Sequence, residues 1–118
     1  MRAWILCFCF AIPPVLASQT PATRPAAPAG NAQNGRKLFA SVGCYQCHGL
    51  EGQGGVGPRL APRPIAFATF SKYLRQPTGE MPPYTAKVLS DKDLADIYSL
   101  LLSIPEPPSP DSIPILSK

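Results

Sequence analysis

Cys44-Tyr45-Gln46-Cys47-His48 is the densest group of reactive side chains in the sequence, two thiols three positions apart with an imidazole directly after the second. Three chemistries use such residues. A thiol–disulfide site needs Cys-x-x-Cys beside a strand–helix–strand pattern, and no strand-like stretch precedes Cys44. A structural zinc ion needs four ligands, whereas the chain beyond residue 17 holds two cysteines and one histidine. The third chemistry is covalent attachment of a haem. On one helical turn both thiols can add to vinyl groups of the same porphyrin, and the imidazole that follows faces the iron as a proximal axial ligand. Only this third chemistry has every residue it needs.

Iron held by His48 has a sixth position to fill. Met81 is the one methionine beyond Met1, and it lies in Gly79-Glu80-Met81-Pro82-Pro83-Tyr84. A thioether is a soft donor suited to haem iron. Methionine usually fills gaps in a core, and a loop between a glycine and two prolines is a poor place for that. The prolines also stiffen the loop, which lowers the entropy cost of holding sulfur against a metal. Two alternatives stand beside Met81: a lysine ligand, Lys72 or Lys87, and an open sixth site that binds small ligands.

The elements that must position these residues read as helices. Asn34 is placed to cap a helix from Gly35 to Val42, with Leu38, Phe39 and Val42 on one side and Gly35 leaving a notch there. Ala66 to Gln76 predicts a second helix with Phe67, Phe70 and Leu74 on one face, stopped by Pro77. Ser90-Asp91-Lys92-Asp93 opens a third with a capping-box pattern. Leu94, Ile97, Tyr98 and Leu101 then follow at helical spacing up to Pro105, with Tyr98 read as packing. Between the haem motif and the second helix, Gly52-Gln-Gly-Gly-Val-Gly57 matches a dinucleotide-binding fingerprint in form only. It follows no strand and ends in Pro58. A glycine-rich loop here serves instead to lie flat against the haem edge.

GRKLFASVGCYQCHG resembles the first helix and haem loop of class I cytochromes c, LRQPTGEMPPY the distal methionine loop of their short bacterial members, and LSDKDLADIYSLLLSIP their C-terminal helix. The resemblance covers residues 34–104. It implies a small all-α cytochrome c fold, three to four helices around one haem c attached through Cys44 and Cys47. His48 and Met81 are then the iron ligands, and the Pro58 carbonyl accepts the proton of the other His48 nitrogen. It also implies that the first helix crosses the last near a right angle, with Gly35 and Phe39 meeting Ile97 and Leu100. Residues 48 and 81 are closer in sequence than in the mitochondrial proteins, so the long omega loop of those proteins is missing and more of one haem edge is exposed.

Length, charge and the chain ends bound the rest. The 118 residues leave room for one domain, and residues 34–104 form too small a core on hydrophobic burial alone, a gap that an apolar macrocycle would fill. Met1 to Ala17 reads as a signal peptide, with Arg2 before an apolar run of ten residues that Pro13-Pro14 breaks. That run is half the length needed to span a bilayer, so an uncleaved anchor is the lesser reading. Residues 18–33 are an Ala/Pro-rich linker and 105–118 a proline-rich tail with no reason to order. Formal charge is +4, falls to +3 without Arg2 and is nearly cancelled by two haem propionates, so no nucleic-acid partner is indicated.

These expectations converge on a non-enzymatic periplasmic electron carrier, its single haem iron cycling between Fe(II) and Fe(III). Its partners would be redox proteins, a dehydrogenase or a terminal oxidase, met either by diffusion or as a bound electron-entry subunit. Membrane association would come only through an uncleaved leader or such a complex. Lys37, Lys72, Lys87 and Lys92 are candidates for a docking surface toward acidic partners. A ligand-binding sensor is the competing class, and it would need an effector domain that these residues do not encode.

Overall fold

Asn31, three residues before the asparagine expected to do so, opens the first helix. Its side-chain oxygen accepts the Asn34 amide at 3.0 Å, and α1 runs from Ala32–Ser41. Asn34 is instead drawn inward, where its side-chain amide donates to Asp96 at 2.8 Å. The structure is a computed structural model that describes residues 27–116. The expected signal peptide, 1–17, and the expected linker up to residue 26 lie outside the described residues.

Three more helices follow: α2 (Cys44–His48), α3 (Phe67–Arg75) and α4 (Asp91–Ser103), with a single 3-10 turn at Pro110–Ser112 in the tail. No strand occurs among the described residues, and the fold is all-α as expected. Each end of α3 and α4 has a local cause. Ala66 and Gln76 flank α3 in non-helical backbone, just before Pro77. At α4 the Ser90 hydroxyl accepts the Asp93 amide at 3.2 Å while the Asp93 carboxylate accepts the Ser90 amide at 2.9 Å, a closed capping box. At the start of the tail Glu106 pairs with Arg63 at 3.0 Å, an exposed ion pair.

Helix α4 is the platform on which both α1 and α3 pack. It contributes Leu94, Ile97, Tyr98, Leu100 and Leu101 to a core that also takes Phe39 from α1 and Phe70 and Leu74 from α3. Fully burying a leucine such as Leu94 or Leu101 contributes about 2 kcal/mol. Phe67, Phe70 and Tyr98 form an aromatic cluster with centroids 5.2 to 6.4 Å apart, and the Tyr98 hydroxyl donates to the Ile65 carbonyl at 2.9 Å. Tyr98 is thus a packing residue with its polar tip satisfied. At the α1–α4 crossing a Cβ on Gly35 would collide with the Asp96 carbonyl, so the glycine notch lets the two backbones touch.

Asp96 is the one buried charge of this crossing, its side chain only 2% exposed. It accepts from Lys92 at 2.8 Å, the Asn31 amide at 2.7 Å and the Asn34 side chain at 2.8 Å. The Lys92 hydrogen bond first, and then those from Asn31 and Asn34, hold its carboxylate down at about 2, below its ordinary 3.8. A depressed carboxylate stabilises the fold fully above its ordinary value, and that stabilisation is lost as pH falls through the folded value. Asp96→Asn is therefore expected to lose about 1–2 kcal/mol at neutral pH, the lower figure allowing for solvent around Lys92. The variant's stability should also vary less than the wild type's between pH 4 and pH 2. Denaturant titrations across that range check both.

Candidate functional site

Helix α2 is a single turn that carries the whole Cys-x-x-Cys-His group. It starts after Gly43, whose backbone is left-handed at φ 82°, and ends at Gly49. Cys44 is half-buried and Cys47 exposed, and neither is in a disulfide. Three positions apart on one turn, they share a helix face, the arrangement needed for two links to one planar group. Burial pushes the Cys44 thiol up, against a smaller downward pull from its hydrogen bond with Tyr84. A reactive redox cysteine needs the opposite shift, and no strand stands beside the motif, so the thiol–disulfide chemistry lacks both its supports. Nor do the described residues contain a group of three or more His, Cys, Asp or Glu side chains able to hold a metal ion by themselves.

His48 is buried, 8% exposed, and its ring is fixed from one side. Nδ1 lies 2.8 Å from the Pro58 carbonyl oxygen. A carbonyl can only accept, so the proton sits on Nδ1, and Nε2 keeps the lone pair that a metal would take. The glycine-rich loop makes this contact possible by folding back over the end of α2. The Gly57 amide donates to the Cys47 carbonyl at 2.9 Å and the Gly54 amide to the His48 carbonyl at 2.8 Å, which satisfies carbonyls the short helix leaves unpaired. Gly57 itself stands against the imidazole: a Cβ there would lie 2.8 Å from His48 Cε1 and 2.9 Å from Nδ1. In this loop, then, the glycine in close approach to a ring is Gly57, and the ring is that of His48.

Met81 is half-buried and packs against the core at the middle of the loop that links α3 to α4. The loop is tied to the haem motif through Tyr84, a residue given no role by the sequence reading. The Tyr84 hydroxyl donates to the Val42 carbonyl at 3.0 Å, two residues before Cys44, and it lies beside the Cys44 sulfur. Burial first, then the neighbouring Cys44, holds the phenol up at about 12, so it stays a donor. Lys92, counted among four candidate docking lysines, is committed to Asp96.

The donor set therefore fits a covalently held haem: two cysteines outside any disulfide on one turn, a tautomer-locked imidazole beside them, and a thioether on a loop anchored just before that turn. The family model described as cytochrome c oxidase, cbb3-type, subunit III matches residues 30–101, more than half of the chain. The chain belongs to this family. No curated protein and no solved structure matches it. It is a monohaem class I c-type cytochrome, and its cofactor is one covalently bound haem c, for which Cys44 and Cys47 supply the Cys-x-x-Cys-His pattern. The family match begins at residue 30, close to the Asn31 that opens α1 in this cytochrome. Haem-based electron transfer is the activity that the cytochrome domain implies.

Proposed function

We propose that this cytochrome is an exported one-electron carrier whose iron is held by His48 and Met81. Bound haem c supplies a one-electron Fe(II)/Fe(III) couple, and a His/Met ligand pair favours the ferrous form. The chain's own residues then have separable tasks. Cys44 and Cys47 fix the macrocycle by thioethers. His48 binds through Nε2, while Pro58 holds the ring in place and makes the imidazole more basic by accepting the Nδ1 proton. Met81 would supply the second protein ligand to the iron, and an iron with both positions taken by the chain would leave none for a substrate, which supports a carrier. The observation that carries this reading is the locked His48 ring together with a Met81 loop tied to Val42, two residues before the helical turn that bears that ring.

The rest of the chain extends the reading. Residues 1–17 act as a signal peptide for the periplasm, 18–33 as a linker, 34–104 as the redox domain and 105–118 as a tail. The donor and acceptor are redox proteins, and the family's description favours a terminal oxidase over a dehydrogenase as partner. The domain serves there as an electron-entry unit or as a diffusing carrier.

The test is spectroscopic and uses the purified wild-type holoprotein. The oxidised form is expected to be low-spin with the weak long-wavelength band of sulfur-ligated ferric haem, and the reduced form to take up carbon monoxide poorly. A high-spin protein that binds carbon monoxide readily would overturn the carrier and favour a ligand-binding role.

A further inference from the structure

We propose that Arg75 and Tyr84 form a clamp that keeps the Met81 loop closed, and so act as positioning residues for the axial sulfur. The inference rests on the assignment of Met81 as ligand and goes beyond it, to what holds that ligand in place. The loop leaves α3 at Gln76, passes Pro77 and Gly79, and carries Met81 directly before Pro82 and Pro83. Neither proline has an N–H, so that stretch cannot be pinned through its own amides. The first residue after them that can donate is Tyr84, and it is held at three points. Its amide donates to the Leu74 carbonyl at 2.8 Å, its carbonyl accepts from Arg75 Nη1 at 2.8 Å, and its hydroxyl donates to Val42.

Arg75 closes the base of the loop from the last position of α3. The same Nη1 donates to the Leu89 carbonyl at 2.7 Å, and Nη2 reaches Asp91 at 2.6 Å. One guanidinium thus ties together the end of α3, both ends of the segment 84–89 and the first turn of α4. Its side chain is only 22% exposed, so its two bonds to backbone carbonyls are partly shielded from water, whereas Asp91 is 87% exposed and its pairing is open to solvent. The other limb of the loop is held more weakly, by the Tyr73 hydroxyl on Thr78 at 3.1 and 3.3 Å. Opening of the Met81 loop is therefore resisted chiefly at its Tyr84 end, by the amide and hydroxyl bonds of Tyr84 itself and by the arginine that holds its carbonyl.

An exogenous ligand can bind the iron only when Met81 is away, so its apparent affinity scales with the fraction of open loop. Imidazole titrated into the oxidised holoprotein, followed by loss of the sulfur band, reads that fraction. Arg75→Met keeps the aliphatic stem and removes both carbonyl bonds; the apparent imidazole affinity should rise roughly tenfold to a hundredfold. Tyr84→Phe removes only the hydroxyl bond and should raise it by about threefold to tenfold. Arg75→Lys keeps the charge without the fork and should fall between the wild type and Arg75→Met; with Tyr84→Phe it carries the test if Arg75→Met does not fold. Haem content and far-ultraviolet helicity should stay at the wild-type level, while amide exchange across residues 77–89 quickens. If the wild type has the sulfur band but these variants match its imidazole affinity within twofold, the clamp is overturned and Met81 ligation survives. If the wild type lacks the band, the ligand assignment falls and the clamp falls with it.

Discussion

Cys44→Ala combined with Cys47→Ala is expected to abolish holoprotein altogether. The two thioethers are what make attachment permanent; without them the macrocycle is held by axial bonds and packing alone, and it leaves when those bonds open. The loss extends to the fold. The matched region, residues 30–101, is near the size at which a single hydrophobic core is marginal. Its buried side chains come mostly from α4 and the faces of α1 and α3 packed on it, while Cys47 stands exposed and Cys44 half-buried on α2. The variant should therefore be colourless, with a weaker and broader thermal transition than the wild type. Either single replacement keeps one thioether and should give a reduced yield of coloured protein. Absorbance per polypeptide and haem staining after denaturing electrophoresis measure the series. In the wild type, acid–organic extraction should leave the haem on the chain. Haem that passes into the organic phase would contradict covalent attachment.

What could be read from the sequence, and what could not, divides by the distance over which each feature is decided. The Cys44–His48 turn, the Ser90–Asp93 capping box and the apolar faces of α3 and α4 depend on residues within one or two turns, and each is present in the fold. Asp96 is the counter-example. It stands between Ala95 and Ile97 on a helix whose pattern would leave an aspartate in solvent, yet it is buried because Asn31 and Asn34, more than sixty positions earlier, bring donors to it. The same pairing explains the misplaced start of α1, since the asparagine that looked like the cap is occupied elsewhere. Around the candidate site, residues with a local signal are legible in the sequence and those that act at a distance are not. Pro58 was read through a resemblance, and its carbonyl indeed lies on His48 Nδ1. Arg75 and Tyr84 gave no signal, because an arginine at a helix end and a tyrosine after two prolines are ordinary until their partners at Leu89 and Val42 are known.

Met81→Ala is the second large effect, and it separates the carrier from a ligand-binding role. With sulfur removed, no second methionine or histidine stands among the described residues to replace it, since the only other methionine is Met1 and the only histidine is His48. The oxidised variant should lose the long-wavelength band and gain high-spin character; the reduced variant should bind carbon monoxide that the wild type excludes. The reduction potential should fall, because the ligand that favours ferrous iron is gone. The fold should change little: Met81 is only partly buried, and the loop stays tied through Tyr84 and Arg75, so the cost in stability should be about 1 kcal/mol. Pro82→Ala should do much less to the spectrum, because it loosens the loop without deleting the donor. If the wild type were low-spin without that band and Met81→Ala left its spin state and potential unchanged, the sulfur would not be the ligand, and Lys72 or Lys87 would be the next residues to replace. Should Met81→Ala instead leave carbon monoxide uptake as ready as in an already open wild type, the sixth position would be a binding site, and electron transfer would have to share the iron with it.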